Sequence, residues 1–418
     1  MKVEVNSSPI RGSIKAPSSK SAMQRILAGT LLAEGSSEIL SPSFCDDSRA
    51  VIEIIKGLGA EVSAGDDRVI VKGGFNPHSR EIFCGESGLA TRMFTPIAAL
   101  HDKPITITGK GSILKRPVDM VVKPLADLGV AVESTNGFLP VMVQGPLKGG
   151  SIIADGSVSS QFITGLLMAL PVVGTDSKLT VENLVSKPYI DLTVSLLSEF
   201  GIEIVNDGYH SFKIPGRQNY RPGSYNVEGD WSGAAFLMVM GALSGPVEIH
   251  GLNLASTQAD KSIYNALNLA GADIRQSSSG FIVSAGRLKG FEFDVSDCPD
   301  LAPPLAVLAL ACEGTTILRG TKRLLAKESN RSKALQETLS ALGAAITTGE
   351  NTIEIEGGLK LKGGSVHSFN DHRIAMANAV AALLCSGPVI IEEMESINKS
   401  YPGFINDFVN LGGNIKIL

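Results

Sequence analysis

Apolar and polar positions along the chain repeat with a period of about 70 residues. The clearest mark is a helix-like stretch ending on a small or apolar residue, then a glycine, then a strand. It occurs six times, at Gly59, Gly129, Gly201, Gly271, Gly343 and Gly412, with intervals of 70, 72, 70, 72 and 69 residues. Three residues after each glycine stands an aliphatic: Val62, Val132, Ile204, Ile274, Ile346 and Ile415. A glycine suits a helix C-terminus because it enters the left-handed region without a Cβ clash. A second phrase keeps the same period. A capping residue (Ser19, Ser87, Ser159, Ser232, Asp300 or Asp371) precedes a stretch that is apolar on nearly every side. Such a stretch reads as a helix enclosed by other elements.

Each unit is therefore expected to run buried helix, strand, amphipathic helix, glycine, strands. Residues 191–200 and 328–342 show the amphipathic helix most clearly. A unit of this size holds a small sheet with its helices, and six units divide into two groups of three. The Pro/Gly-rich stretch 218–225 places the boundary near residues 227–230. The expected lobes are 19–228, and 1–18 with 229–418. A spare N-terminal strand, about residues 1–17, is expected to pair with the C-terminal half. The fold class is α/β (α+β), with a cleft between two lobes.

Composition narrows the function classes. With 44% hydrophobic and 19% charged residues, the chain is neither disordered nor a fibrous repeat. A net charge of −5 leaves no global basic footprint for nucleic acid. The longest apolar run, residues 374–385, falls short of the ~20 residues that span a bilayer, and no signal block opens the chain. The five cysteines are scattered without metal-ligand spacing. They read as small buried hydrophobes in a reducing compartment, so the cytoplasm is the expected location.

Against that acidic background, cations and hydroxyls gather at two positions of the repeat. At the start of the buried helix stand Ser18-Ser19-Lys20-Ser21 with Arg25, Gly85-Glu86-Ser87-Gly88 with Arg92, Ser157-Val158-Ser159-Ser160-Gln161, Pro299-Asp300, and Asn370-Asp371-His372-Arg373. At the start of the amphipathic helix stand Lys115-Arg116-Pro117, Ser186-Lys187-Pro188, Lys327-Glu328-Ser329-Asn330-Arg331, and Lys399-Ser400. Any one of these reads equally as a helix cap or an exposed charge pair of small weight. Their recurrence points instead to anion sites, since helix N-termini offer free N–H groups and partial positive charge.

Several of these segments carry a resemblance. Pro17-Ser18-Ser19-Lys20-Ser21 with Arg25 is similar to the PGSKSxxxR signature of the 5-enolpyruvylshikimate-3-phosphate synthase family. Other segments resemble further signatures of that family: Lys115-Arg116-Pro117, Ser157-Val158-Ser159-Ser160-Gln161-Phe162, Ser186-Lys187-Pro188-Tyr189, Glu228-Gly229-Asp230, Pro299-Asp300, Lys327-Glu328 with Arg331, Asp371-His372-Arg373-Ile374-Ala375-Met376, and Lys399. The likeness runs from Pro17 to about Phe404 and implies an inside-out α/β barrel: two lobes, each of three βαβαββ units, closing on substrate. Two segments depart from the pattern. The family's GNAGTAMR appears as Gly85-Glu86-Ser87-Gly88-Leu89-Ala90-Thr91-Arg92, and Ser329-Asn330 replaces Thr-Asp. A carboxylate at Glu86 is expected to point away from the ligand or to meet a cation.

The resemblance implies an enolpyruvyl transfer from phosphoenolpyruvate to the 5-hydroxyl of shikimate-3-phosphate, on the way to chorismate and the aromatic amino acids. Asp300 would be the base at the hydroxyl and Glu328 the proton shuttle at the methyl carbon, with Lys20 assisting. Lys20, Gly88, Arg116, Gln161, Arg331, Arg373 and Lys399 would hold phosphoenolpyruvate. Lys20, Ser21, Arg25, Ser159, Ser160, Gln161, Ser186, Asp300 and Lys327 would hold shikimate-3-phosphate. No metal or cofactor, nucleic acid or membrane is implied, and the family's usual state is a monomer. Two rivals remain. A sister transferase acting on UDP-N-acetylglucosamine typically carries a loop cysteine, and residues 102–115 have none. A non-catalytic phosphate-binding repeat protein would leave Asp300 and Glu328 without a task.

Overall fold

The computed structural model describes residues 1–418, which divide into two compact units, Lys20–Val227 and Met1–Ser19 with Glu228–Leu418. Each unit holds three four-stranded sheets of one design. In one of them Glu81–Phe83 runs parallel to Ile105–Thr108, which pairs antiparallel with Phe138–Gln144, itself antiparallel to Ala131–Thr135. The other five sheets repeat this pattern of one parallel and two antiparallel pairs. The fold is thus a six-fold repeat of mixed α/β units, as the glycine spacing predicts.

The parallel pair sets everything functional. In four of the six sheets its crossover is the buried helix, so that helix begins where the first strand ends; in the other two the parallel strand comes from a distant part of the chain, Gly12–Lys15 beside Val247–His250 and Ser224–Asn226 beside Gly35–Leu40. The second strand leads into the connection before the amphipathic helix. Parallel strands share a C-terminal edge, so the two polar segments of every repeat meet there, as ligand-binding connections do in open α/β sheets. Short bonds fasten the edge: Lys110 N–H donates to Gly85 O at 2.8 Å, and Gly156 N–H to Glu182 O at 2.8 Å. Val295 N–H reaches Arg319 O at 2.9 Å, and Ser368 N–H reaches Glu392 O at 3.2 Å.

The six apolar helices are buried along nearly their whole length. In one unit they are Lys20–Leu32, Gly88–Ala98 and Gln161–Ala169, and in the other Trp231–Leu243, Ala302–Leu310 and His372–Ala381. They bury every face because they lie between sheets and against one another. All six repeat glycines hold positive φ, from 77° at Gly201 to 115° at Gly59. Their role as the left-handed stop after the second helix follows from that angle.

Three expectations need correction. The N-terminal segment is two strands, not one. Val3–Asn6 completes the sheet of Val389–Glu392, while Gly12–Lys15 joins the sheet of Val247–His250. The cap of Trp231–Leu243 is Asp230, whose carboxylate accepts from Ser232 N–H at 3.0 Å, so Ser232 lies inside the helix. Asp300 is not the cap of Ala302–Leu310: it sits in a 3₁₀ turn, Pro299–Leu301, and its carboxylate accepts from Arg331 and Arg373. Pro303 and Pro304, which donate no N–H, open the helix that follows, so it needs less capping.

Close approach of helices relies on glycine at one point above all. A Cβ on Gly165 would stand 2.6 Å from Met93 O and from Pro96 Cγ on the neighbouring helix. Neither can yield without moving backbone. Gly165→Ala is expected to cost about 1–3 kcal/mol by overpacking. Urea unfolding would register this as a lower midpoint at unchanged slope, and an unchanged midpoint would refute it.

Candidate functional site

In the unit Lys20–Val227 the three buried helices are cross-tied at their starts. Ser87 Oγ donates to Gln24 Oε1 at 3.3 Å, joining the first and second. Arg92 Nη1 donates to Gln161 Oε1 at 2.8 Å, joining the second and third. Arg25 joins the first to the third, its Nη2 donating to Thr164 Oγ1 at 3.5 Å. Its Nε donates to Thr193 Oγ1 at 2.9 Å, and its other nitrogens reach Ser21 O at 2.8 Å and Tyr189 O at 3.4 Å. Burial lowers the Arg25 guanidinium to about 10, and the nearby Tyr189 opposes that shift. These bonds make the helix starts one rigid polar face.

The expected ligand residues of this unit lie on that face or beside it. Lys20 opens its helix, with Nζ 3.0 Å from Asp47 Oδ2 and both side chains mostly buried. Ser21 follows it, turned enough to keep partial exposure. Gly88 opens the second helix directly beneath Arg116, for a Cβ there would lie 2.9 Å from Nη1 of that guanidinium. Only a glycine lets the arginine lie on the backbone there. Gln161 opens the third helix, and Ser159 Oγ accepts from its N–H at 3.2 Å. Ser160 is buried at the same turn. Ser186, before Lys187–Glu199, holds φ 56°, a left-handed conformation that is costly for a residue with a side chain.

The unit Met1–Ser19 with Glu228–Leu418 gathers charges far more tightly. Arg331, at the start of Arg331–Ala341, is 1% exposed and bonds three carboxylates. Its Nε lies 2.8 Å from Asp371 Oδ2, its Nη1 2.6 Å from Asp300 Oδ1, and its Nη2 2.6 Å from Glu328 Oε2. Arg373 Nη2 lies 3.0 Å from the other Asp300 oxygen, and Lys327 Nζ lies 3.5 Å from Asp300 Oδ1. Lys399 Nζ donates to Asn370 O at 2.6 Å beside this cluster's helix start. Asp300, Lys327, Glu328, Arg331 and Arg373 therefore form one contiguous network.

The electrostatics follow from burial against partners. Burial works against the Arg331 charge, but Asp371, Glu328 and Asp300 outweigh it and push its pKa upward. Arg373 is raised the same way, burial being outweighed chiefly by Asp300. Lys327 shows the reverse balance: burial dominates the pull of Asp300 and lowers it to about 8. Asp371 is fully buried, caps His372–Ala381 through Arg373 N–H at 2.9 Å, and also accepts Ser329 Oγ at 3.0 Å. A guanidinium that stays charged and a lysine poised near neutrality suit a site that binds anions and moves protons.

The profile of the EPSP synthase (3-phosphoshikimate 1-carboxyvinyltransferase) family matches residues 5–408. The chain belongs to the EPSP synthase family. A protein of Clostridium kluyveri named 3-phosphoshikimate 1-carboxyvinyltransferase is 38% identical over 416 residues, covering 99% of this chain and 98% of its own. One of Clostridium novyi with the same name is 39% identical over 425 residues, covering 99% and 98%. Among solved structures, EPSP synthase from Acinetobacter baumannii superposes with TM-score 0.84 at 25% identity over the whole of both chains. The enolpyruvyl transferase NikO from Streptomyces tendae shares the fold, with TM-score 0.80 at 16% identity over 99% and 98% of the two chains.

Both departures from the EPSP synthase motifs have structural explanations. Glu86 Oε2 accepts the Ser112 N–H and hydroxyl, each at 3.1 Å, bracing the Gly111–Lys115 turn that precedes Arg116. Asn330 caps its helix by accepting from Lys333 N–H at 3.2 Å, work an aspartate does equally. Ser329 supplies a hydroxyl to Asp371, as threonine would.

Sequence reasoning passed over Asp47 and Asp260. They stand where the repeat starts its second helical segment, at Asp46–Gly57 and Ala259–Ser262, but a search for cations skips carboxylates. The 70-residue period was the signal that could have found them. Asp371 was recognised as part of a motif and as a cap, while its grip on Arg331 was not legible.

Removing Asp371 leaves Arg331 buried with a weakened counter-charge. Asp371→Ala is expected to lower unfolding free energy by about 3–5 kcal/mol. A loss below about 1 kcal/mol in chemical denaturation would show that the ion network does not stabilise this unit.

Proposed function

We propose that the chain transfers the enolpyruvyl group of phosphoenolpyruvate to the 5-hydroxyl of shikimate-3-phosphate and releases phosphate. The observation that carries this reading is the Arg331 network, in which two candidate proton-transfer carboxylates share guanidinium cations within one unit. Family membership supplies the substrates, as the names of its relatives state them.

The reaction asks three things of the protein. The 5-hydroxyl oxygen attacks C2 of phosphoenolpyruvate and loses its proton to Asp300, while C3 gains a proton through Glu328. The resulting tetrahedral ketal then loses phosphate from C2 and a proton from the methyl carbon, restoring the double bond. Lys20 assists at the departing oxygen. Arg116, Arg331, Arg373 and Lys399, with Gln161 and the Gly88 N–H, hold phosphoenolpyruvate, since guanidinium forks match carboxylate and phosphate oxygens. Ser21, Arg25, Ser159, Ser160, Ser186 and Lys327 hold shikimate-3-phosphate. Without ligand, Asp300 and Glu328 are tied to Arg331. An arriving anion competes for that guanidinium, so both carboxylates are released as bases only when substrate is present.

The enzyme acts as a cytoplasmic monomer, its product feeding chorismate and aromatic amino-acid biosynthesis; no helix is long and apolar enough to cross a membrane. The sister activity on UDP-N-acetylglucosamine is disfavoured because all five cysteines are buried. Burial also raises the thiols of Cys84 to about 12 and of Cys312 and Cys385 to about 11, far from reactive thiolates.

Phosphate release is the assay. Shikimate-3-phosphate with phosphoenolpyruvate should give stoichiometric phosphate, UDP-N-acetylglucosamine should give none, and iodoacetamide should not inactivate. Phosphate released with the nucleotide sugar alone, or with neither acceptor, would overturn the reading. Glu328→Gln should lower turnover by roughly 10²-fold or more with little change in ligand affinity, as removal of a positioned proton-transfer group does. Near-normal turnover would take Glu328 out of the chemistry.

A further inference from the structure

The backbone turns left-handed at the same place in five of the six repeats. The residue that follows the inner strand of the parallel pair has positive φ at Ser41, Asn183, Gly251, Gly320 and Glu393. Glycine and asparagine hold that conformation at little cost, and serine is small. Glu393, at φ 56°, is the one long side chain among them. A strained residue of that size points to work done by its side chain.

Glu393 Oε2 accepts the Asn370 N–H at 2.7 Å, and Glu393 O accepts the Ser368 hydroxyl at 2.9 Å. Both partners lie in a tight turn, Ser368-Phe369-Asn370-Asp371, closed by Asp371 N–H donating to Ser368 O at 3.0 Å. Its central residues, Phe369 and Asn370, have φ of 55° and 52°. Two successive positive angles are the pattern of a type I′ turn, which glycine and asparagine favour and phenylalanine does not. His367 adds a second hold. Its Nδ1 accepts the Phe369 N–H at 2.9 Å, so its proton is on Nε2, which faces Glu393 Oε1 at 3.6 Å. His367 and Glu393 thus take the N–H groups of both central residues of the turn.

The turn carries two groups that set the site. Asn370 O accepts Lys399 Nζ at 2.6 Å, and Asp371 Oδ2 accepts Arg331 Nε at 2.8 Å. Lys399 and Arg331 are two of the cations assigned above to phosphoenolpyruvate. Lys399 also ends the 3₁₀ segment Met394–Lys399 that Glu393 opens, so one residue fixes both sides of the Asn370–Lys399 contact. We propose that Glu393 is a positioning residue for phosphoenolpyruvate: its carboxylate clamps the turn at residues 368–371, and the turn seats the Lys399 ammonium and the Arg331 guanidinium for the anion. The role rests on the activity proposed above. Without the clamp the turn relaxes towards negative φ, and the Asn370 carbonyl leaves Lys399.

Glu393→Gly is the informative deletion, because glycine removes the carboxylate yet holds the left-handed backbone without strain. A glutamate with no role beyond the backbone would make that change neutral or stabilising. In the full-length protein it should raise the KM for phosphoenolpyruvate about tenfold, the worth of one hydrogen bond to a charged group. The KM for shikimate-3-phosphate should stay put, and kcat should change far less than the KM for phosphoenolpyruvate. Glu393→Gln keeps an acceptor oxygen and should recover most of the loss. In an Asn370→Gly background, where glycine holds the turn by itself, Glu393→Gly should cost much less than it does alone. A readout free of turnover is the Asn370 amide in ¹⁵N-labelled, unliganded protein, which should exchange with solvent about tenfold faster in Glu393→Gly. An unchanged KM for phosphoenolpyruvate in Glu393→Gly, an equal rise for both substrates, no recovery in Glu393→Gln, an undiminished cost in the Asn370→Gly background, or an Asn370 amide exchanging at the wild-type rate would each overturn the proposal. If the wild type releases no phosphate, the activity reading fails by itself, and the Asn370 amide still decides whether the clamp exists.

Discussion

Arg331 is a full positive charge with 1% of its side chain exposed. Taking a guanidinium out of water is costly unless its donors meet oxygens arranged to receive them. Here three carboxylates from three different segments do so: Glu328 just before its helix, Asp300 from the turn Pro299–Leu301, and Asp371 from the start of His372–Ala381. The same contacts that make the buried charge tolerable bring two neighbouring repeats into register. They also set the two proposed proton-transfer groups on one cation. Stability and chemistry in this unit therefore share their atoms.

The architecture reaches this arrangement without long loops. Every repeat delivers its two polar connections to one edge, because its first two strands are parallel. What differs between units is the filling. In Lys20–Val227 the helix starts are joined mostly by hydroxyls, amides and single arginines, as in Ser87–Gln24, Arg92–Gln161 and Arg25–Thr193. In the other unit they are joined by ion pairs. A donor-rich face with single arginines suits a ligand with hydroxyl groups and one phosphate. A network of charges whose pKa values are displaced suits proton transfer.

Much of this was legible in sequence because glycine and helix caps report backbone conformation locally. The six glycines sit at positive φ for a reason each shows in its own flanks. The cations were legible because they stand out in a chain with only 37 of them. Pairing was not. Nothing local says that Lys20 meets Asp47, that Arg331 meets Asp371, or that Arg25 turns its donors to Thr193 and Tyr189. Those contacts depend on which repeats lie side by side. The N-terminal segment misled for the same reason: its alternation is that of a strand, and the break into two strands serving two sheets is set by their partners.

The central claim is that the buried Arg331 guanidinium is lent to the ligand by its carboxylates. Calorimetric titration of phosphoenolpyruvate into Arg331→Lys protein already saturated with shikimate-3-phosphate tests it most directly. Lysine keeps the charge that the three acids need but loses the planar fork. The expected result is roughly ten- to hundredfold weaker phosphoenolpyruvate binding, the worth of one charged hydrogen bond, with the folded state retained. Wild-type affinity in that variant would contradict the account.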